Sequence, residues 1–226
     1  MNKTLFACLL AGLSAQAASA ELSSTLTLAS DYLFNGISQT GEDPALQASL
    51  DATFDNGLYI GTWASNIDLG DDFDLEWDFY VGYRWDLGED QALDLGILQY
   101  SYPGESQANY PEAYVAWHLP TGTRLQLNYS PDYFGDFGHH YFATVEQSWQ
   151  LERGFGLVAS ITHSQALSGK GDNIWFGKDH YQNWRLGLTQ SWAGFDMELS
   201  WQDTSIDDVP EAEGRLYFQV ARTFNF

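Results

Sequence analysis

Asp74, Glu76 and Asp78 recur at every second residue of "DLEWDF", and Asp196 and Glu198 do the same in "FDMELSWQ". Carboxylates at that spacing share one face of an extended chain. There they can line a polar passage or pair with guanidinium groups. The same register puts Asp51, Asp94, Glu112 and Glu146 on that face, with Arg84, Arg124, Arg185 and Arg215 as counter-charges. Such an interior suits a water-filled pore that favours cations and polar neutral solutes over anions. It equally suits a narrow lumen held shut by acid–arginine pairs, and both readings stay open.

Other constellations offer less. Neighbouring His163 and Ser164 supply an imidazole and a hydroxyl, but adjacent residues on a strand diverge, whereas a nucleophile and its base must meet. His163, His180 and Ser168 can approach one another only across a long link. Asp71-Asp72 and Asp207-Asp208 lack metal-loop spacing and read as solvated acidic surface. His139-His140 point to opposite faces and read as a surface pair rather than joint ligands of one metal. No cofactor or metal site is expected.

The elements that must position the acidic face are strands. In "DLEWDFYVGYRW" Leu75, Trp77, Phe79, Val81, Tyr83 and Trp85 alternate with polar residues, and no stretch carries a helical apolar stripe. About twelve such runs follow one another, each near the length of a tilted membrane-crossing strand. The links between them alternate. "DNG" (55–57), "DLGED" (86–90), "PTG" (120–122), "ERG" (152–154) and "AG" (193–194) are tight-turn sequences, while "NGISQTGED", "PGESQAN" and "SIDDVPEAEG" are longer and polar. Short turns at one end and long loops at the other are the pattern of outer-membrane barrels. The expected fold is therefore all-β: a closed antiparallel transmembrane barrel of about twelve strands, with short periplasmic turns and longer extracellular loops. Closure pairs the last strand with the first, because lipid tolerates no open sheet edge. The closing "GRLYFQVARTFNF" then ends as a strand at the membrane rim, with Arg222 on the apolar face near an interface.

"MNKTLFACLLAGLSAQAASA" reads as a signal peptide, Lys3 before a short apolar run and Ala18-Ser19-Ala20 before cleavage at Glu21. The expected organisation is residues 1–20 as signal and 21–226 as barrel. Cleavage removes Cys8, the only cysteine, so neither a disulfide nor a thiolate site is expected. With 31 acidic residues against 9 basic ones, the chain is a poor partner for nucleic acid. Its expected partners are outer-membrane lipid, lipopolysaccharide and small solutes.

"ASDYLFNGISQTGEDPALQASLD" (29–51) resembles the opening of the bacterial TorF family of porin-type outer-membrane proteins. "GLYIGTWASNID" (57–68), "DFYVGY" (78–83), "LDLGILQYSYPG" (93–104), "NYPEAYV" (109–115), "YSPDYFG" (129–135) and "GR" at 214–215 follow in order. Where that family often carries a basic residue before Gly-Ile-Ser, this chain has Asn35. The resemblance implies a porin-like barrel and names no substrate. The function expected is passive diffusion of small polar or cationic solutes. A sealed barrel acting through its loops is the alternative, with the 165–180 aromatics as contact patch, and an outer-membrane hydrolase is the remote third reading.

Overall fold

A computed structural model describes residues 20–70, 73–135, 137–167 and 175–226. Residues 1–19 of the expected signal segment, Asp71-Asp72 and Ser168 lie outside the described residues, while Ala20, its expected last residue, opens the first strand. Twelve strands form one closed antiparallel barrel. In chain order they are β1 (Ala20–Ala29), β4 (Ala45–Phe54), β5 (Leu58–Asn66), β6 (Leu75–Gly88), β7 (Gln91–Tyr100), β8 (Tyr110–His118), β9 (Thr123–Ser130), β10 (His140–Gln150), β11 (Phe155–Ala166), β12 (His180–Trp192), β13 (Phe195–Thr204) and β14 (Arg215–Asn225). The two short strands β2 (Leu33–Phe34) and β3 (Ile37–Ser38) form a separate hairpin. There is no α-helix among the described residues.

Each barrel strand pairs with its sequence neighbour, and β14 closes onto β1 from Ser23↔Asn225 to Ala29↔Gln219. The Thr25 and Thr223 hydroxyls bond across that seam at 2.9 Å. Links of two to four residues join strands at the end where both termini lie, and links of eight to fifteen residues join them at the other. These are called the turn end and the loop end below.

Alternation decides which side chain faces where. Leu75, Trp77, Phe79, Val81 and Trp85 of β6, and Leu216 and Phe218 of β14, stay exposed on the outer wall, part of an apolar belt that runs round the barrel. Such a belt fits hydrocarbon and not water, so this is a transmembrane barrel. Phe226 is 80% exposed, its backbone N–H bonded to the Leu22 carbonyl at 2.9 Å, so the terminus is a strand end at the rim. Arg222 does lie on the outer face, opposite Leu26, with its guanidinium 5.0 and 5.3 Å from the ring centres of Phe195 and Phe224. Stacking on rim aromatics satisfies a charge that hydrocarbon would reject.

The packed core sits inside the barrel at the loop end. Phe34, Ile37, Tyr100, Tyr102, Tyr110, Tyr133, Phe142, Trp175 and Tyr181 converge there from strands and long links alike. Trp175 therefore packs inward against Tyr181, with ring centres 5.2 Å apart, while its neighbour Phe176 is exposed.

Candidate functional site

The lumen has two unlike halves. Near the loop end the inward residues are buried all the way round, from Ala29 on β1 and Ala45 on β4 through Ser65, Glu76, Tyr100, Tyr110, Ser130, His140, Ser164 and Tyr181 to Thr204 and Tyr217. A wall residue facing an open channel would be wet, so this half is filled. Toward the turn end the inward residues become accessible, as along β9, where Ser130 is buried and Asn128, Gln126 and Arg124 are partly exposed. A vestibule of about 720 Å³ occupies the space between, reaching from Tyr32, Phe34 and Asn35 to His118 and Arg124.

Part of the filling comes from the link after β1, which turns into the barrel and adds Phe34 and Ile37 to residues of the other long links. Asn35-Gly36 is its two-residue turn, with φ of 48° and 82°, the left-handed pair that a tight hairpin requires. A Cβ on Gly36 would press on Asn183 and Thr204 of the far wall, so the tip makes a close backbone approach there. Phe34 packs edge-on against Tyr100 and Phe142, with ring centres 6.0 and 5.6 Å away. The Tyr181 hydroxyl donates to the Asn35 carbonyl at 3.2 Å. At its base the Tyr32 hydroxyl donates to Glu76 at 2.8 Å. Buried Asp31 accepts from Ser38 and Thr40 at 2.7 and 2.8 Å and pairs with Arg215 at 3.0 Å. Arg215 also reaches Glu42 at 3.2 Å. Burial among the links pushes the hydroxyls of Tyr102 and Tyr133 well above their ordinary pKa, so both remain protonated donors.

Below the hairpin lies a charged tier. Arg124 approaches Glu146 at 3.4 Å, and Arg185 bridges Glu146 at 2.6 Å and Glu198 at 3.5 Å. Ser160 of β11 stands in register between Glu146 and Arg185, and its small side chain lets the guanidinium cross that strand. Arg84 faces Asp94 at 4.0 Å. On the opposite wall Gly82 and Gly96 form a register pair that leaves a gap, and the Tyr59 and Tyr114 rings cover it from either side. Their hydroxyls meet, and Tyr59 donates to Asp94 at 2.6 Å. Tyr80 donates to Asp51 in the same way.

Of the residues expected on the inner face, Asp78, Asp94, Glu112, Arg124, Glu146 and Arg185 border the vestibule. Asp51, Glu76, Arg84 and Glu198 make the inner contacts just given. Asp74 precedes β6 and is exposed, Asp196 is exposed beside the last tight turn, and Arg215 anchors the hairpin base. The residues that sequence reasoning passed over are those of the hairpin, and the Asn35-Gly36 pair between Leu33-Phe34 and Ile37 was the available signal. His139-His140 needs correction. His139 faces outward and bonds Tyr129, but His140 is fully buried, 3.9 Å ring-to-ring from Tyr133, rather than on the surface. His163 faces outward toward Gln182 and lies 6.1 Å ring-to-ring from His180, while Ser164 is buried on the inner face. Asp207 of the acidic loop pair sits 3.7 Å from Lys178.

The model of a bacterial protein family of unknown function, Gcw_chp, matches residues 14–226, nearly the full length. The chain belongs to the Gcw_chp family. No curated protein sequence matches it. Among solved structures this Gcw_chp barrel is similar to a KdgM porin, at 9% identity and a TM-score of 0.57 over 91% of this chain and 99% of that one. That porin is also solved in complex with disordered oligogalacturonate. The NanC porin (12% identity, TM-score 0.54, 89% and 98% covered) has the same fold. So does the COG4313 outer membrane channel from Pseudomonas putida F1 (12%, 0.51, 92% and 96%). At these identities the likeness is one of fold, and the Gcw_chp chain has the fold of outer-membrane porins.

Proposed function

We propose that this barrel is an outer-membrane channel for passive diffusion of small polar or cationic solutes, with its extracellular half closed by the Leu33–Ser38 hairpin. The observation that carries the reading is the vestibule of about 720 Å³, bordered by Asp78, Asp94, Glu112 and Glu146 with only Arg124 and Arg185 as full positive charges. A carboxylate excess in a low-dielectric wall concentrates cations and repels anions. The KdgM porin's oligogalacturonate, a polyanion, is accordingly a poor model for the cargo here. In this reading residues 1–20 direct export, cleavage before Glu21 frees the barrel, and the turn end faces the periplasm. Lipid and lipopolysaccharide surround the apolar belt. The resemblance to the TorF porins points the same way. In this reading the barrel acts without cofactor and without chemistry, and the orientation of Ser164 and His163 to opposite sides of the wall argues against that pair as nucleophile and base.

The second reading, a sealed barrel acting through its loops, is favoured by the buried ring at the loop end. Single-channel recording of refolded protein in a planar bilayer under a salt gradient separates the two. Discrete steps with a cation-selective reversal potential are expected. A folded barrel silent at every voltage, even with the hairpin shortened, would retire the channel and leave the structural role.

A further inference from the structure

Carboxyls of the charged tier and those nearer the hairpin, Asp78 and Glu112, differ in their partners. Among the described residues, Asp94, Glu146 and Glu198 each lie within 4.0 Å of a guanidinium. Among the described residues no Lys or Arg pairs with Asp78 or Glu112, and the His140 ring nitrogen lies 3.9 Å from Glu112 Oε2. Asp78 is 4% and Glu112 1% exposed. Glu112 Oε1 accepts from Tyr100 at 3.3 Å and Asn128 at 2.8 Å, but Glu112 Oε2 and Asp78 Oδ1 accept no hydrogen bond. Leaving such atoms buried and unpaired costs several kcal/mol, roughly, unless a proton or a cation joins them.

A third acceptor argues for the cation. Asn183 Oδ1, on β12 across the vestibule, is also unpartnered in a residue 6% exposed. It is neutral, so protonating the carboxyls would leave it unsatisfied. The two cations that border the vestibule, Arg124 and Arg185, are engaged with Glu146 and Glu198, and none pairs with these three acceptors. The rings of Phe34, Tyr100 and Phe142 border the same space and offer faces to a cation with a hydrocarbon portion. Among the described residues no group of side chains is arranged to hold a metal ion.

We propose that the vestibule beneath the hairpin is a binding subsite for a small primary organic ammonium ion. Its N–H groups donate to Asp78 Oδ1 and Glu112 Oε2, its carbon chain lies against Phe34 and Phe142, and a second donor on the ion reaches Asn183. This rests on the channel reading, because the vestibule is then part of the solute's path.

The test is titration calorimetry of refolded barrel in detergent micelles with ethanolammonium chloride, in sodium chloride of matched ionic strength. Saturable binding is expected. Asp78→Asn and Glu112→Gln should each weaken it about tenfold, the loss of one charge-assisted hydrogen bond. Asp196→Asn, at the exposed turn, should leave it unchanged. Heat-dependent gel migration verifies folding. If Asp78→Asn does not fold, Glu112→Gln and Asn183→Ala carry the comparison from two other strands. Absence of saturable binding, or equal binding by all the variants, overturns the site. A barrel that conducts without binding sinks the subsite alone, and one that binds but stays silent even with the hairpin shortened keeps the subsite and sinks the channel.

Discussion

At the scale of single residues, the inner wall is governed by contacts too close to permit an extra atom. Gly82 and Gly96 lie opposite one another, and a Cβ on either would run into the ring of Tyr59 or Tyr114. Gly82→Ala should therefore cost about 1–3 kcal/mol of stability, read as a lower urea midpoint for unfolding from micelles. Pairing it with Tyr59→Ala should be far from additive, because the second change removes the atoms the first one strikes. An additive double variant would mean that the ring is not what excludes the Cβ. Neither glycine stood out in the sequence, because a close approach is invisible until the neighbouring strand's register is known. The carboxylates were different: period-two spacing alone put Asp51, Glu76, Asp78, Asp94, Glu112, Glu146 and Glu198 on one face, and they share it. The same spacing could not tell that Asp74 and Asp196 fall at strand ends, since alternation carries no information about depth.

Strand and link lengths were legible because tight turns use a narrow vocabulary: the observed turns match "DNG", "PTG", "ERG" and "AG" to within one residue, and only at "DLGED" does the strand run three residues further, to Gly88. The path of the first long link was not. "NGISQTGED" is polar enough to read as an outer loop, but Asp31, Ser38 and Thr40 satisfy one another and Gln39 bonds backbone at 3.0 Å, so its polarity is used internally. Arg215 then becomes the residue on which that element depends. Arg215→Ala leaves Asp31, 4% exposed, without a cation, and should lower stability by about 2–3 kcal/mol, below the usual range for a buried pair because two hydroxyls still donate to it. Limited proteolysis should then cut within residues 30–44 at a rate where the wild type is intact, and unchanged protection would show that the aromatic contacts alone retain the hairpin. Replacing Leu33–Ser38 by a short Gly-Ser link goes further. It removes Phe34 and Ile37 from the packed core while leaving all twelve barrel pairings in place. The barrel should still fold, and its unit conductance should exceed that of the wild type. A folded variant with no gain in current would show that the other links, through Tyr133 and Trp175, close the loop end by themselves.

The whole molecule joins an apolar exterior required by lipid to an interior whose charges are only partly cancelled. Closure follows from the strands' parity and from the cost of a bare edge in hydrocarbon, and the seam between β1 and β14 bears that out. The charge arrangement gives the closing prediction, best made on the hairpin-shortened barrel, where the expected current is larger. Glu146 sits between Arg124 and Arg185, and Arg185 between Glu146 and Glu198, so each is a node of one chain across four strands. Glu146→Gln removes a negative charge, frees the Arg124 guanidinium to face the lumen and leaves Arg185 with Glu198 alone, and should reduce cation selectivity. Arg185→Gln removes a positive charge, frees Glu198 and leaves Glu146 with Arg124 alone, and should raise it. Reversal potentials under a salt gradient measure both. The two shifts should be opposite in sign and should shrink toward 1 M salt, where screening acts over about 3 Å and no longer spans the lumen. Shifts of the same sign would mean that the chain of pairs acts only as a brace, and that selectivity is set elsewhere, at the unpaired tier of Asp78 and Glu112.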